Sequence, residues 1–228
     1  PMTIDKPKAL LDIGEKKILD LIIERIPKEI KDIKIVTNAK FYHLFDKWLK
    51  ESSIKDSNIK IGLINDCTNC YENRLGAIRD MHLALSKEKE EDALIIASDN
   101  LFDFDLNDPL ELFKKIRRDI IIAYDIKDKS NATRFGVLST DENGKIVKFE
   151  EKPKEPETSL ISTGIYFFTK DSLKRIQRYI KEGVNIDGPG NFIKWHASTK
   201  DVHALVAKGK WYDIGTLESY NDALKSFN

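Results

Sequence analysis

Residues 94–100 read LIIASDN. An apolar run closes on small residues, and Asp99 and Asn100 follow at once. A short run of this kind, bounded by polar residues, reads as a buried β-strand. In an open α/β sheet the ligand crevice lies beyond the carboxyl ends of the strands. A carboxylate placed there points into the crevice. It suits Mg²⁺ carried with substrate phosphates, because Mg²⁺ takes oxygen ligands and keeps several waters. The competing reading is a carboxylate that caps the following turn. This stretch alone leaves both open.

On either side of it, strand and helix patterns alternate. EKKILDLIIERI (residues 15–26) has apolar residues at Ile18, Leu19, Ile22, Ile23 and Ile26, which is helical spacing with a charged opposite face. DIKIVTN (32–38) reads as a strand, KFYHLFDKWLKE (40–51) as a helix and IKIGLI (59–64) as a strand. LGAIRDMHLALSKEK (75–89) and NDPLELFKKI (107–116) read as helices on either side of DALIIAS (92–98), and DIIIAYDI (119–126) is a further strand. This alternation predicts a parallel sheet covered on both faces. The second half changes character. FGVLSTDENGKIVKFEEKP (135–153) predicts a β-hairpin, since its Asn-Gly is a strong turn signal. LISTGIYFFT (160–169), DVHALVA (201–207) and KWYDI (210–214) read as strands, and DSLKRIQRYIKE (171–182) and LESYNDALKSF (217–227) as helices. A single mixed α/β domain over residues 1–228 is expected, with the hairpin region forming a lobe over the carboxyl edge of the sheet.

Composition sets limits on partners. The 228 residues carry 38 basic and 38 acidic side chains, so no basic field invites nucleic acid or an anionic membrane. No apolar run reaches spanning length and no secretory signal pattern opens the chain, so a cytoplasmic protein is expected. Cys67 and Cys70 stand alone in CTNC without a second pair of metal ligands. Asp66 and Glu72 flank them, an unfavourable setting for a reactive thiolate, and two free thiols on a loop are expected.

Three further stretches carry chemistry. In KWYDIGT (210–216) Asp213 follows a short strand; Thr216 is the better candidate to cap the last helix, which frees Asp213 for a metal shared with Asp99. In FEEKP (149–153) alternation turns Glu151 away from both Glu150 and Lys152, unless Pro153 ends the strand early. In DKPKALLDIG (5–14) Lys6 and Lys8 flank a proline, and a loop lysine can meet phosphate oxygens as a point charge. Each also has a bland reading as a solvated or capping residue.

Together and in this order, DKPKALLDIG, LIIASDN, RFGVLSTDENGKIVKFEEKP with STGIYFF, and WYDIGT resemble the sugar-phosphate nucleotidylyltransferases of the glucose-1-phosphate thymidylyl- and uridylyltransferase type. The resemblance covers nearly the whole chain. It implies a three-layer, Rossmann-like nucleotide-diphospho-sugar transferase fold with a mixed, mainly parallel sheet. It also implies a reaction in which a sugar-1-phosphate oxygen attacks the α-phosphorus of a nucleoside triphosphate and pyrophosphate leaves. The chemistry of such a step is positioning plus neutralisation of phosphate charge.

By this resemblance Asp99 and Asp213 hold Mg²⁺, Lys8 contacts the reacting phosphates and Lys152 the sugar phosphate. Glu151 accepts hydrogen bonds from sugar hydroxyls, and Gly136, Thr163, Gly164 and Tyr166 form the sugar wall. Leu75, Gly76 and Asn100 fall on the nucleotide side. Homo-oligomers are common in the family and are an open expectation here. The chain departs from its relatives at Arg79 and Asp80, where small residues are usual, and at Ser98, where glycine is common. Arg79 is expected to face solvent. The largest departure is at the front. Relatives begin with an apolar strand and a glycine-rich, G-x-G-T-R-L-x-P-x-T loop for the triphosphate, of which Pro1 and Thr3 match only the end. The domain is therefore expected to be N-terminally incomplete, with an open slot where that central strand would lie. A non-catalytic sugar-nucleotide-binding or regulatory homologue is the alternative.

Overall fold

The structure is a computed structural model that describes residues 5–52, 54, 58–70, 72–86, 91–183, 185 and 188–227. Pro1, Thr3 and the tail of the helix expected to reach residue 89 lie outside them.

The chain begins with a 3-10 turn (Lys8–Leu10) and a small ribbon, β1 (Asp12–Ile13) with β2 (Lys16–Lys17), which leads into α1 (Ile18–Arg25). Then come β3 (Asp32–Thr37), α2 (Tyr42–Glu51), β4 (Lys60–Asn65), α3 (Ala77–Leu85), β5 (Ala93–Ile96), β6 (Asn100–Phe102), α4 (Asn107–Ile116) and β7 (Asp119–Asp125). The second half holds a 3-10 segment (Lys129–Arg134), β8 (Gly136–Thr140), β9 (Ile146–Glu151), β10 (Leu160–Phe168), α5 (Lys170–Lys181), α6 (Pro189–Ala197), β11 (Val202–Val206), β12 (Trp211–Asp213) and α7 (Leu217–Phe227).

The central strand β7 is apolar at consecutive positions because both of its faces are covered. Ile120 and Ile122 pack with Phe113 of α4, Ile18 and Ile22 of α1 and Ala223 of α7. Ile121 and Ala123 face the other way, with Leu173, Ile176 and Tyr179 of α5 and Phe192 and Ile193 of α6. The period-2 alternation of a strand thus divides one apolar run between two helix layers.

The sheet is mixed, with more antiparallel pairing than the alternating pattern predicts. β3 and β4 are parallel, as are β7 and β11. β10, however, enters antiparallel to β7 on one side and to β5 on the other. Its direction follows from the hairpin that precedes it. β8 and β9 pair as expected around Gly144, whose φ of 79° suits glycine, and Asp141 accepts from the Asn143 and Lys145 amides. The hairpin is tied to the sheet through the pairing of Val137 with Ile161.

Among the described residues no ladder joins β3 to β5. A cavity of about 770 Å³ lies between them, lined also by α1 and α3. It forms an open slot beside β5. It explains why β5, read as a buried strand, is only half-buried along its length.

Candidate active site

The turn after β5 carries the first site residue. Ala97 donates to the Gly164 carbonyl (2.9 Å) and Asn100 donates to the Ala97 carbonyl (3.2 Å), which closes a tight turn around Ser98 and Asp99. β6 then pairs antiparallel with β12 in a register that sets Asn100 opposite Asp213. The Ile214 amide donates to the Asp99 carbonyl at 2.9 Å. Two carboxylates far apart in sequence, Asp99 in the turn before β6 and Asp213 at the end of β12, are held beside each other by backbone bonds. Thr216 caps the last helix through its hydroxyl, which accepts from the Ser219 amide at 3.1 Å. Asp213 is therefore free of capping duty.

The Lys8 ammonium lies 3.1 Å from an Asp99 oxygen. Its place follows from the 3-10 turn, in which buried Ala9 and Leu10 anchor the segment and Lys8 stays half-buried. Burial and the neighbouring Asp99 charge push the Asp213 carboxyl above its ordinary range, against the opposing charges of Lys8, Arg134 and Lys152. Two oxygen donors that repel each other while cations stand near are a fitting donor set for Mg²⁺, which needs few protein ligands when phosphates and water complete its shell.

Beside Asp213 opens a polar cavity of about 220 Å³. It gathers Asn100, Gly136, Glu151, Lys152, Thr163, Gly164 and Tyr166, all singled out in the sequence. Local backbone explains the convergence. β9 ends at Glu151, and Lys152 takes a left-handed φ of 49°. Its amide donates to the Phe135 carbonyl at 2.9 Å. The strand stops before strict alternation can send Lys152 to the opposite face, so both side chains line one cavity. On β10 the register against β7 shifts between Ser162 and Tyr166. Thr163 turns inward and its hydroxyl donates to the Ile122 carbonyl at 2.7 Å. Gly164 has φ 78°, and a Cβ there would press on Ala97 at 3.0 Å and on the Asn100 amide at 3.1 Å. A Cβ on Gly136 would meet the Phe149 ring at 2.5 Å. These glycines let the backbone itself form the wall.

Burial pushes the Glu151 carboxyl upward, with Lys152 opposing. Tyr166, fully enclosed, is pushed up to about 12 by burial. It remains a neutral hydroxyl 3.4 Å from the Ser162 oxygen.

A family model of nucleotidyl transferases matches residues 1–228. The chain belongs to the nucleotidyl transferase family. A glucose-1-phosphate adenylyltransferase of Lachnospira eligens is 36% identical over 131 residues, or 57% of this chain and 31% of the relative. One of Clostridium acetobutylicum is 32% identical over 158 residues, or 68% of this chain and 42% of the relative. The chain thus spans less than half the length of these curated relatives. Among solved structures, a Bacillus anthracis protein named as a glucose-1-phosphate thymidylyltransferase, in complex with sucrose, shares 22% identity and a TM-score of 0.84, covering 99% of this chain and 88% of its own. UDP-glucose pyrophosphorylase with UDP-glucose gives 21% and 0.81, with 100% and 92% covered. These structures establish the Rossmann-like nucleotide-diphospho-sugar transferase fold.

Within this chain, Leu75 and Gly76 stand apart from the polar cavity. Gly76, with φ 85°, starts α3 at the slot. Asn100, assigned to the nucleotide side, sits against Gly164 in the polar cavity. Ser98 lines the slot, and Arg79 is exposed as expected. Asp80, one helical turn beyond Gly76, faces the slot. Burial, then the Asp66 charge, pushes its carboxyl up to about 6, and one of its oxygens is buried without a partner among the described residues. Cys67 and Cys70 are exposed free thiols.

Sequence reasoning missed Arg134, Gly190 and Trp211, which also line the polar cavity. Arg134 opens the quoted stretch RFGVLSTDENGKIVKFEEKP, of which the resemblance assigns Gly136 but not the arginine. Gly190 sits in the first turn of α6, where a Cβ would overlap the Glu151 carboxylate. A glycine inside an otherwise helical stretch was the available signal.

Proposed function

We propose that this chain transfers a nucleotidyl group from a nucleoside triphosphate to a sugar-1-phosphate, with release of pyrophosphate. The observation that carries the reading is the single crevice in which Lys8, Asp99 and Asp213 adjoin a sugar-sized cavity closed by Glu151 and Lys152. Glucose-1-phosphate is the proposed acceptor. The motif resemblance favours dTTP or UTP as donor, and the adenylyltransferase names of the curated relatives support testing ATP beside them.

Asp99 and Asp213 would hold Mg²⁺, which when bound supplies neutralisation of phosphate charge. The chain's own residues do the rest. Glu151 accepts hydrogen bonds from sugar hydroxyls at the floor of the cavity, and the Gly136 and Gly164 backbone excludes water from the sugar faces. Lys152 offsets the charge of the attacking phosphate oxygen, and Lys8, held by Asp99, faces the triphosphate. The new bond forms between that oxygen and the α-phosphorus while the bond to the β-phosphate oxygen breaks. Pyrophosphate leaves with that electron pair.

A pyrophosphate-release assay with ATP, UTP, dTTP, CTP and GTP against glucose-1-phosphate and other sugar-1-phosphates tests the reading. Release with at least one pair is expected; none with any pair refutes it.

A second reading, a non-catalytic sugar-nucleotide-binding or regulatory homologue, draws on one observation, the open slot between β3 and β5 beside the site. Calorimetry separates the two, since this reading requires binding of an NDP-sugar such as UDP-glucose without turnover.

A further inference from the structure

Arg134 ends the 3-10 segment Lys129–Arg134, which is fixed at both ends. Asp128 accepts from the Ser130 amide at 2.9 Å, and buried Ala132 accepts from the Phe135 amide at 3.0 Å. The guanidinium lies 5.4 Å from the centre of the Phe135 ring. That ring stands edge-on to Trp211 at 5.5 Å, two residues before Asp213. Phe135 also accepts the Lys152 amide, so Arg134 and Lys152 are held on either side of one residue.

The charges around this shelf are uneven. Lys8 is engaged by Asp99. Among the described residues neither Arg134 nor Lys152 forms an ion pair, yet both line the same cavity of about 220 Å³ and the charges of both reach Asp213. Two uncommitted cations at the rim of a cavity match the two charges of a phosphomonoester. The planar fork of arginine offers paired N–H donors to phosphate oxygens, which a lysine cannot do. Trp211 adds an indole N–H that is buried without a partner among the described residues.

We infer that Arg134 is a phosphate-binding residue that clamps the phosphate of the sugar-1-phosphate together with Lys152. The identity of that anion rests on the proposed transfer reaction, but the clamp is testable without turnover. The bland alternative is a solvated arginine that only stacks on Phe135.

The test is calorimetric titration of glucose-1-phosphate into the wild-type chain, Arg134→Gln and Arg134→Lys, across pH 5 to 8. Loss of a charged bidentate contact should weaken binding by about 10- to 100-fold in Arg134→Gln. Arg134→Lys should fall between, because it keeps the charge and loses the fork. Wild-type affinity should rise as the phosphate gains its second charge near pH 6, and Arg134→Gln should flatten that rise, which a purely structural role would not do. Equal affinity in wild type and Arg134→Gln overturns the inference, as does a wild-type chain that binds no glucose-1-phosphate. If binding falls as expected but no triphosphate supports pyrophosphate release, the transfer reaction is refuted and the clamp stands.

Discussion

At the scale of single residues the site is governed by a few charges held at fixed separations. Asp99→Asn and Asp213→Asn each remove a carboxylate from the pair while keeping the side-chain volume. Either change should lower the rate of pyrophosphate release by at least about 100-fold, since electrostatic groups at a reacting phosphate carry effects of this order. Near-normal rates in both would refute the assignment. Asp80 supplies a pH effect with a definite sign. Its carboxyl rises from the ordinary 3.8 to about 6 in the folded chain. Well below pH 3.8 it is protonated whether folded or not and costs nothing. Well above pH 6 it is charged in both states, and the folded state bears the full penalty. Stability should therefore fall between these values as pH rises. Asp80→Asn should stabilise the chain at pH 7, by no more than about 1–2 kcal/mol once partial exposure is allowed for, and should change little at pH 4. Urea unfolding at the two pH values checks this, and an equal effect at both refutes the cause.

At the scale of elements, helix α6 shapes the cavity from behind. Its first turn presents Gly190 to the Glu151 carboxylate with no room for a Cβ. Gly190→Ala should leave the helix intact, because alanine favours it, yet displace Glu151. The KM for sugar-1-phosphate should rise by roughly 10-fold, in line with loss of one charged hydrogen-bond acceptor, and the KM for the triphosphate should stay near its original value. Unchanged kinetics would show that Glu151 tolerates the shift. The other end of α6 is tied down by His196, whose Nε2 lies 2.6 Å from buried Asp119. Asp119 also accepts from the Ser172 hydroxyl at 2.5 Å and the Thr169 amide at 2.8 Å, joining β7, α5 and α6. Asp119→Ala strands these donors and should cost about 3–5 kcal/mol in urea unfolding. None of this network could be read from spacing. His196 is 77 residues from Asp119, and periodicity records only which residues share a face of one element.

At the scale of the whole molecule, the two sides of the sheet differ in closure. β7 and β10 are paired on both edges, whereas among the described residues β3 and β5 each have one ladder partner and face a cavity of about 770 Å³. Amide hydrogen exchange should therefore be slowest in β7 and β10 and faster in β3 and β5, because opening free energy follows buried contact and pairing. Equal protection across these strands would show that the slot is closed in solution. Among the described residues no helix is long and apolar enough to cross a membrane.

The sequence by itself determined most of the element order, the hairpin around Gly144, and the ordered motifs that mark the family. Local periodicity and turn chemistry record these directly. It also placed Lys8, Asp99, Glu151, Lys152 and Asp213 among the chemical residues. Only the tertiary structure decided which of them share a crevice. The antiparallel entry of β10, the β6–β12 register and the left-handed turn at Lys152 each depend on pairings between distant segments. Arg134 and Gly190 acquire a role only after those pairings form, because a residue's neighbours across a cavity leave no trace in its own spacing.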